Sequence, residues 1–169
     1  MKIWGVVGWK NSGKTGLMER LVAEFTARGL RVSTIKHAHH IFDVDQPGKD
    51  SYRHREAGAV EVLLASRKRF ALMHEIRDEA EPELEELLGR LSDVDLVLVE
   101  GYKRDRHPKI EVHRGETGQP LIGEDDDTIR AIASDNGNSV PGKPVFDLND
   151  TRGVADFIAS ELGLEHANG

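Results

Sequence analysis

Two glycines, a lysine and a threonine near the start of the chain have the spacing of a phosphate-binding loop. Gly8, Gly13, Lys14 and Thr15 fill every fixed position of the pattern G-x-x-x-x-G-K-[ST]. In such a loop the backbone N–H groups point at a polyphosphate, the lysine neutralises the outer phosphates and the threonine hydroxyl binds Mg²⁺. The alternative is an ordinary glycine turn before a helix. The predicted nucleotide ligands are Gly8, Lys10, Asn11, Ser12, Gly13, Lys14 and Thr15.

A second candidate is the acid that ends an apolar run at residues 95–100. Because the carboxyl ends of parallel strands meet at one edge of a sheet, Glu100 is expected beside the glycine loop, whereas Asp95 lies at the wrong end of the run. A carboxylate there holds the Mg²⁺ shell, directly or through water, or orients a water nucleophile. The alternative is that Glu100 is a solvated acid at the end of a strand, without a role in binding or catalysis. We therefore predict Lys14 and Glu100 as catalytic residues and Thr15 with Glu100 as the metal ligands.

Three histidines follow a predicted strand at residues 31–36, and they raise the question of a metal site. His37, His39 and His40 are close in sequence, but the chain contains no cysteine to complete a closed coordination sphere. We favour a polar loop that binds a second, anionic ligand or orients the active site. A metal site remains the alternative.

Two charged loops could serve a second ligand or a partner. Residues 43–51 occupy the place of a switch loop, in which Asp45 could reach Mg²⁺ through water, although a solvated loop explains them equally well. Residues 101–109 form a basic loop directly after Glu100. Its cations Lys103, Arg104 and Arg106, with Lys109, suggest a second anionic ligand or a docking partner, against the alternative of a solvated loop.

Base selection has the weakest signal, because the guanine-reading N-K-x-D pattern is absent. A carboxylate can still pair with the two edge N–H donors of guanine. Asp135 follows a late strand, where such a residue belongs. Asp147 and Asp150 are rivals, and a capping or turn role for Asp135 is as good an interpretation.

The elements that must position these residues alternate between strands and helices. Apolar runs are predicted as strands at residues 3–7, 31–36, 60–65, 70–76, 94–99, 110–113, 129–133 and 145–146. Helical stripes follow the glycine loop, Pro82 and Thr151, which is a plausible cap, and Asp50 or Ser51 could cap a further helix. This order predicts an α/β fold with a mostly parallel, doubly wound sheet and helices on both faces. We expect one nucleotide-binding domain over residues 1–165 and a frayed tail at 166–169.

Composition narrows the partners of the chain. Its 169 residues carry a net charge of −7, so an overall basic footprint for nucleic acid is absent. No apolar run approaches the length needed to span a membrane, and no signal-peptide pattern precedes the first strand. The default expectation is a cytoplasmic protein that binds neither nucleic acid nor membrane.

Several of these segments, in this order, also resemble a known family. Residues 8–15, 36–40, 43–51, Arg53 with 57–59, and 98–103 look like the molybdopterin-guanine dinucleotide biosynthesis accessory protein B family. The resemblance implies a homodimer that binds GTP with Mg²⁺ and hydrolyses it slowly. It also implies assistance to a separate molybdopterin guanylyltransferase, with molybdopterin as a further ligand. One departure is Trp9, which stands where the wider class often has a lysine, so Lys10 is not given that lysine's trans-acting role.

Two other functions share the glycine loop. The three histidines would suit a nickel-type metallochaperone GTPase, and the basic loop would suit a small-molecule kinase. Nickel binding would favour the first, and ATP preference with a phosphorylated product would favour the second.

Overall fold

The computed structural model describes residues 1–38 and 42–164. The chain forms two compact units, one made of residues 1–37 and 88–169 and the other of residues 38–87. The expectation of a single domain over residues 1–165 stays a prediction. The elements in chain order are β1 (Lys2–Val7), α1 (Lys14–Ala27), β2 (Val32–Lys36), α2 (Asp50–Glu56), β3 (Glu61–Ala65), β4 (Phe70–His74), α3 (Leu84–Gly89), β5 (Leu96–Glu100), β6 (Lys109–His113), β7 (Ile129–Ser134), β8 (Val145–Asp147) and α4 (Thr151–Leu162), with 3₁₀ turns at Gly115–Thr117 and Ile122–Glu124.

The first unit is built on a six-stranded sheet in the order β2-β5-β1-β6-β7-β8. Every neighbouring pair is parallel. β5 and β6 are buried along their whole length, which explains why β5 is apolar almost without interruption. β1 lies centrally, and the strand order reverses beside it, which places the carboxyl ends of β1, β5 and β6 at a topological switch point. The predicted α/β class with a mostly parallel sheet is confirmed.

The main core covers one face of this sheet. Leu17, Leu21 and Phe25 project from α1 at a spacing of four residues and join Val154 and Ile158 of α4 against the sheet. A smaller cluster, in which Val7, Ile129 and Ile132 pack with Leu121 and Val140, includes the partly buried Ile122 of the second 3₁₀ turn. Both long helices, α1 and α4, therefore pack into the main cluster. The smaller cluster is covered by the second 3₁₀ turn.

The second unit contains α2 and an antiparallel hairpin of β3 and β4. The strands are joined by the turn at residues 66–69, in which the hydroxyl of Ser66 accepts from the N–H groups of Lys68 and Arg69. The predicted pair of strands and their turn are confirmed, with β3 beginning one residue later and β4 ending two residues earlier than expected.

Two predicted helix caps were wrong. Thr151 is the first residue of α4, and the cap is Asp150, whose carboxylate accepts from the N–H of Gly153 at 3.0 Å. The Thr151 hydroxyl instead accepts from Nε of Arg20 at 2.8 Å. α2 is preceded by Lys49, and no side chain caps it, so neither Asp50 nor Ser51 has that role. A shift of one residue decides which side chain reaches the free N–H groups of a helix, and sequence spacing does not resolve such a shift. Among the described residues no helix is long and apolar enough to cross a membrane.

Candidate functional site

The glycine loop connects β1 directly to α1. Gly8 and Gly13 have φ of +151° and +98°, and Asn11 adopts the left-handed region at +64°. Gly13 is the N-cap of α1, and no side chain caps the helix. The first N–H groups of the helix are therefore not claimed by a capping side chain, and the positive end of the helix dipole faces the loop.

Gly8 is required by the close approach of a neighbouring strand. A Cβ at Gly8 would lie 2.4 Å from the carbonyl oxygen of Val112 in β6 and 2.6 Å from Oγ of Ser12. Ser12 itself is only 1% exposed, and its Oγ has no hydrogen-bond partner within the described part of the chain. Only glycine fits at position 8 of this loop. The buried hydroxyl of Ser12 beside it can donate a hydrogen bond to a ligand.

Lys14 reaches back across the loop. Its Nζ donates to the carbonyl oxygens of Gly8 at 3.0 Å and Trp9 at 2.7 Å. Burial lowers the pKa of Lys14, Glu100 opposes that shift, and the charges of Lys103 and Lys36 lower the pKa further. The charges of two further lysines and one carboxylate therefore act on Lys14, and the excess of positive charge favours an anion at the loop.

Glu100 lies where the sequence placed it. It ends β5, opposite Val6 of β1 and Lys36 of β2 in the sheet register. The residue is 9% exposed, and its Oε1 is 3.2 Å from Nζ of Lys36. A solvated acid does not describe this environment. Its predicted role in metal binding or catalysis stays a prediction.

The remaining loop residues are open to solvent. Lys10, Asn11 and Thr15 are exposed. Thr15 is the second residue of α1 and directly follows Lys14. The predicted Mg²⁺ contact of Thr15 stays a prediction.

The histidine segment is described only in part. His37 follows β2, its N–H donates to the carbonyl oxygen of Glu100 at 3.0 Å, and its ring lies 4.9 Å from that of Tyr102. Gly101, with φ of +92°, allows His37 to approach the backbone after β5 closely, because a Cβ at Gly101 would lie 3.0 Å from Cβ of His37. His39 and His40 lie outside the described residues, so their prediction is not tested. Within residues 1–38 and 42–164 no group of three histidine or acidic side chains is arranged to hold a metal ion.

The basic loop after Glu100 divides into groups with different surroundings. Arg104 and Arg106 are exposed, as expected for docking residues. Lys103 is half-buried, and its Nζ lies 4.3 Å from the ring centroid of Trp9.

Lys109, which the sequence suggested as a free cation, was wrongly interpreted. It is fully buried, and its Nζ donates to the carbonyl oxygens of Asp105 and His107 and to Oγ1 of Thr128. The reason is topological, because Lys109 begins β6 in the middle of the sheet and its ammonium must be satisfied by the surrounding loop.

Asp45 belongs to an ion-pair cluster in the second unit. Its carboxylate accepts from Nη2 of Arg55 at 2.5 Å and from Nε at 3.3 Å. The same guanidinium binds Asp43 and Glu75, each at 2.9 Å. The hydrogen bonds from Arg55 hold the pKa of Asp45 below its usual value. The charge of Asp45 is therefore compensated within its own unit, and its role towards a second ligand stays a prediction.

The three carboxylates considered for base reading differ in what they bind. Asp147 accepts from the N–H of Asn149 at 2.7 Å, and Asp150 caps α4. Asp135 is exposed, and its Oδ1 accepts from the N–H of Gly115 at 3.0 Å, which joins the loops after β6 and β7. This bond links two loops that are 20 residues apart in sequence, so it is neither the cap nor the turn bond that the sequence left open for Asp135. Contact with a base stays a prediction.

Sequence reasoning missed two features beside the loop. Arg114 follows β6, and its Nε would lie 3.1 Å from a Cβ at Gly13, yet this buried nitrogen has no partner within the described residues. An open pocket of about 510 Å³ lies against the loop and is lined by Trp9, Lys10, Asn11, Glu116, Thr117 and Gln119. The short strand β6 was the available signal, because residues that follow a strand of a parallel sheet lie at its carboxyl edge.

Comparison with known proteins agrees with this architecture. The family model of MobB, described as molybdopterin guanine dinucleotide synthesis protein B, matches residues 3–135. The chain belongs to the MobB family. It is 44% identical over 156 residues to the molybdopterin-guanine dinucleotide biosynthesis adapter protein of Escherichia coli (strain K12), covering 89% of this chain and 87% of the relative. The adapter protein of Haemophilus influenzae (strain ATCC 51907 / DSM 11121 / KW20 / Rd) is 42% identical, with 98% and 90% covered.

Solved MobB structures have the same fold. A MobB homologue from Bacillus stearothermophilus superposes with a TM-score of 0.73 at 30% identity, covering 98% of this chain and 100% of the other. Bacillus subtilis MobB superposes with a TM-score of 0.75 at 27% identity, covering 96% and 98%. The family resemblance predicted from the sequence is confirmed.

The close contact at Gly8 makes a testable prediction for stability. Gly8→Ala should lower the free energy of unfolding by at least about 2 kcal/mol more than Gly29→Ala, as measured by urea unfolding without ligand. Gly29 is the matched control, since its φ is +86° but no atom lies within 4 Å of its Cβ position. The control therefore reports backbone strain alone, about 1–2 kcal/mol. Equal losses in the two variants would show that β6 does not press against the loop.

Proposed function

We propose that this chain is a GTP-binding adapter with slow GTPase activity that assists a separate guanylyltransferase in forming molybdopterin-guanine dinucleotide in the cytoplasm. The observation that carries the proposal is the glycine loop with its cationic surroundings, in a chain of the MobB family. Relatives of the chain are named as adapters of this biosynthesis. An adapter that binds a nucleotide requires a phosphate site, and the loop offers one.

The residues around the loop fit a Mg²⁺-bound triphosphate. The uncapped start of α1 and the buried Oγ of Ser12 supply hydrogen-bond donors, and Lys14 supplies a charge. Thr15 and Glu100 would hold the Mg²⁺, which when bound neutralises the charge that develops on the phosphates. Glu100, whose Oε1 lies 3.2 Å from Nζ of Lys36, would orient the attacking water.

Guanine is the base that Asp135 would select. The carboxylate is exposed at the carboxyl end of β7, and its bond to the N–H of Gly115 leaves acceptor capacity on the second oxygen. Adenine presents no matching pair of edge donors. The preference for GTP over ATP therefore depends on a carboxylate that is already oriented by the loop after β6.

A second ligand has room beside the same loop. The pocket lined by Trp9 and Glu116 adjoins the apex of the glycine loop, and Lys10 provides an exposed cation at its edge. His37 lies at the same edge of the sheet, after β2. This combination of an aromatic ring, a carboxylate and a cation suits molybdopterin, whose pterin is planar and whose phosphate is anionic.

Two variants separate binding from hydrolysis. Lys14→Ala removes a charge-assisted phosphate contact and should weaken GTP binding by a factor on the order of 100 or more.

Glu100→Gln should keep the affinity within about threefold and lower turnover by about tenfold or more, because it removes the basic group. Isothermal titration with GTP and phosphate-release assays measure the two effects.

The control is Lys2→Ala, which removes an exposed lysine at the opposite end of β1. Titration with ATP in place of GTP tests the base preference. Unchanged GTP affinity in Lys14→Ala, or equal affinity of the parent for ATP, would contradict this assignment.

We also propose that the chain forms a homodimer through its hairpin. Leu63 and Leu72 are paired across β3 and β4, and Phe70 lies on the same face, with 60%, 48% and 74% of these residues exposed. On the opposite face Val62 is 9% exposed and Met73 is partly buried, although Leu64 on that face is 43% exposed. An isolated two-stranded hairpin is marginally stable, so a second apolar surface is needed on the exposed face. A second copy of the chain supplies one of identical shape.

The dimer can be tested by sedimentation velocity. Leu72→Asp should shift the protein from dimer to monomer at micromolar concentration, because it places an unpaired charge in an apolar interface. Arg67→Asp is the control, since it changes a charge in the exposed turn of the same hairpin. A parent that sediments as a monomer, or a Leu72→Asp variant that remains a dimer, would rule out this surface.

The transferase partner is proposed to dock on Arg104 and Arg106. Both are exposed in the segment that follows β5, one and three residues after Lys103, and they form no ion pair within the described residues. Replacing both with glutamate should reduce the stimulation of the transferase by about tenfold while GTP affinity stays within about twofold, and the stimulation by the parent should weaken with salt.

The assay is formation of the dinucleotide by the transferase with and without this protein. The matched control reverses Arg90 and Arg152, which are exposed elsewhere in the first unit. Dinucleotide formation by this protein alone, or stimulation that persists in the Arg104 and Arg106 variant, would refute the docking proposal.

A further inference from the structure

The side chain of Lys103 is held in an unusual place for a loop cation. Its Nζ lies 4.3 Å from the ring centroid of Trp9, within the glycine loop. That ring is fixed in turn, because its Nε1 donates to the carbonyl oxygen of Pro120 at 2.8 Å. Within the described residues Lys103 forms no ion pair, unlike Lys36, which pairs with Glu100. The ammonium is therefore positioned by an aromatic face, which attracts a cation without neutralising it.

Lys103 and Lys14 both contact Trp9. Lys14 donates to the backbone carbonyl oxygen of Trp9 at 2.7 Å, while Lys103 lies over its side chain. The two charges are close enough for Lys103 to lower the pKa of Lys14. Lys103 is itself partly desolvated, and burial lowers its pKa, although the charge of Glu111 opposes that shift. Holding two like charges together costs free energy, and an anion between them would recover it.

The position relative to the loop indicates which phosphate is concerned. In a loop of this type the lysine that follows the second glycine reaches the outer phosphates, and the helix N-terminus lies at the inner ones. Lys14 is folded towards Gly8 and Trp9, at the beginning of the loop. Lys103, above Trp9, is thus at the end where the outermost phosphate lies.

We propose that Lys103 is a second phosphate-binding residue of the glycine loop, positioned by the Trp9 ring to contact the outermost phosphate of a bound triphosphate. The sequence grouped Lys103 with Arg104 and Arg106 as a docking surface, and this proposal separates it from them. It rests on the proposed nucleotide-binding function. Lys103 comes from the segment after β5, and it brings a positive charge to the side chain of Trp9. The glycine loop has no charged side chain of its own at that position.

The test compares affinities for ligands with different numbers of phosphates. Lys103→Met keeps the aliphatic stem and removes the charge, so it should weaken binding of a non-hydrolysable GTP analogue by about tenfold or more and of GMP by less than about twofold. Lys103→Arg should retain most of the affinity. Lys2→Met is the control for loss of one positive charge. Circular dichroism and unfolding in urea verify that the variants are folded.

Trp9 is tested as the positioning residue by a double-mutant cycle. Trp9→Phe and Trp9→Leu both lose the bond to Pro120, but only the first keeps an aromatic face. Trp9→Leu should reproduce part of the Lys103→Met effect, and the two changes should be less than additive in their effect on triphosphate affinity. Trp9→Phe should lie closer to the parent. Full additivity would remove the positioning role from Trp9.

Inorganic tripolyphosphate is the probe that distinguishes failure of this inference from failure of the proposed function. If the parent binds tripolyphosphate and Lys103→Met weakens it about tenfold, the inference stands whatever the base preference proves to be. If the parent binds tripolyphosphate and Lys103→Met binds it equally well, the inference is wrong while the loop assignment survives. A parent that binds neither tripolyphosphate nor GTP would overturn both.

Discussion

The position of the whole site depends on the distance between β1 and β6. The carbonyl oxygen of Val112 lies so near Gly8 that the first carbon of any side chain would be 2.4 Å from it. This approach fixes the direction in which the chain leaves β1, and so the start of α1 and the path of residues 8–15. Val112 lies in a fully buried strand paired with β1 and β7, so the sheet itself holds this constraint in place. The loop is thereby shaped by packing before any ligand is present.

Electrostatics then give this shape its chemical preference. The chain as a whole has a net charge of −7, yet Lys14, Lys36 and Lys103 meet around one loop with Glu100 as the acid among them. Repulsion among these ammonium groups, and the partial burial of Lys14 and Lys103, are unfavourable in the folded state alone. A binding site often retains such a cost because a ligand of opposite charge relieves it. The excess of positive charge around the glycine loop is the basis of both proposals, the binding of a nucleotide and the role of Lys103.

Other charged side chains of the described structure are compensated by neighbouring groups of the protein itself. Arg55 binds Asp43, Asp45 and Glu75, so an acidic loop that resembles a metal site in sequence is internally compensated. Lys109 donates to two backbone carbonyl oxygens and one hydroxyl, and it serves the fold. Lys103 differs from these two cations, because it lies against the Trp9 ring and forms no ion pair within the described residues. We therefore regard Arg55 and Lys109 as structural cations and Lys103 as a cation available to a ligand.

The sequence by itself determined the order of the elements, because hydrophobic periodicity and glycine placement are local properties. It placed β1 and β5 within two residues, located the glycine loop with a helix after it, and put Glu100 at the carboxyl end of its strand. The family resemblance followed from the same motifs. These features are encoded over short stretches, where backbone sterics and side-chain spacing leave few choices.

The tertiary structure alone decided which charged side chains are free. Lys103 and Lys109 are six residues apart in one basic segment, but one reaches the glycine loop and the other lies inside the sheet. Asp150 instead of Thr151 caps α4 because of a shift of one residue, and Arg114 reaches Gly13 only because β6 runs beside β1. Each outcome depends on contacts between residues distant in sequence. Burial and pairing are properties of the assembled sheet, and no local pattern in the chain specifies them.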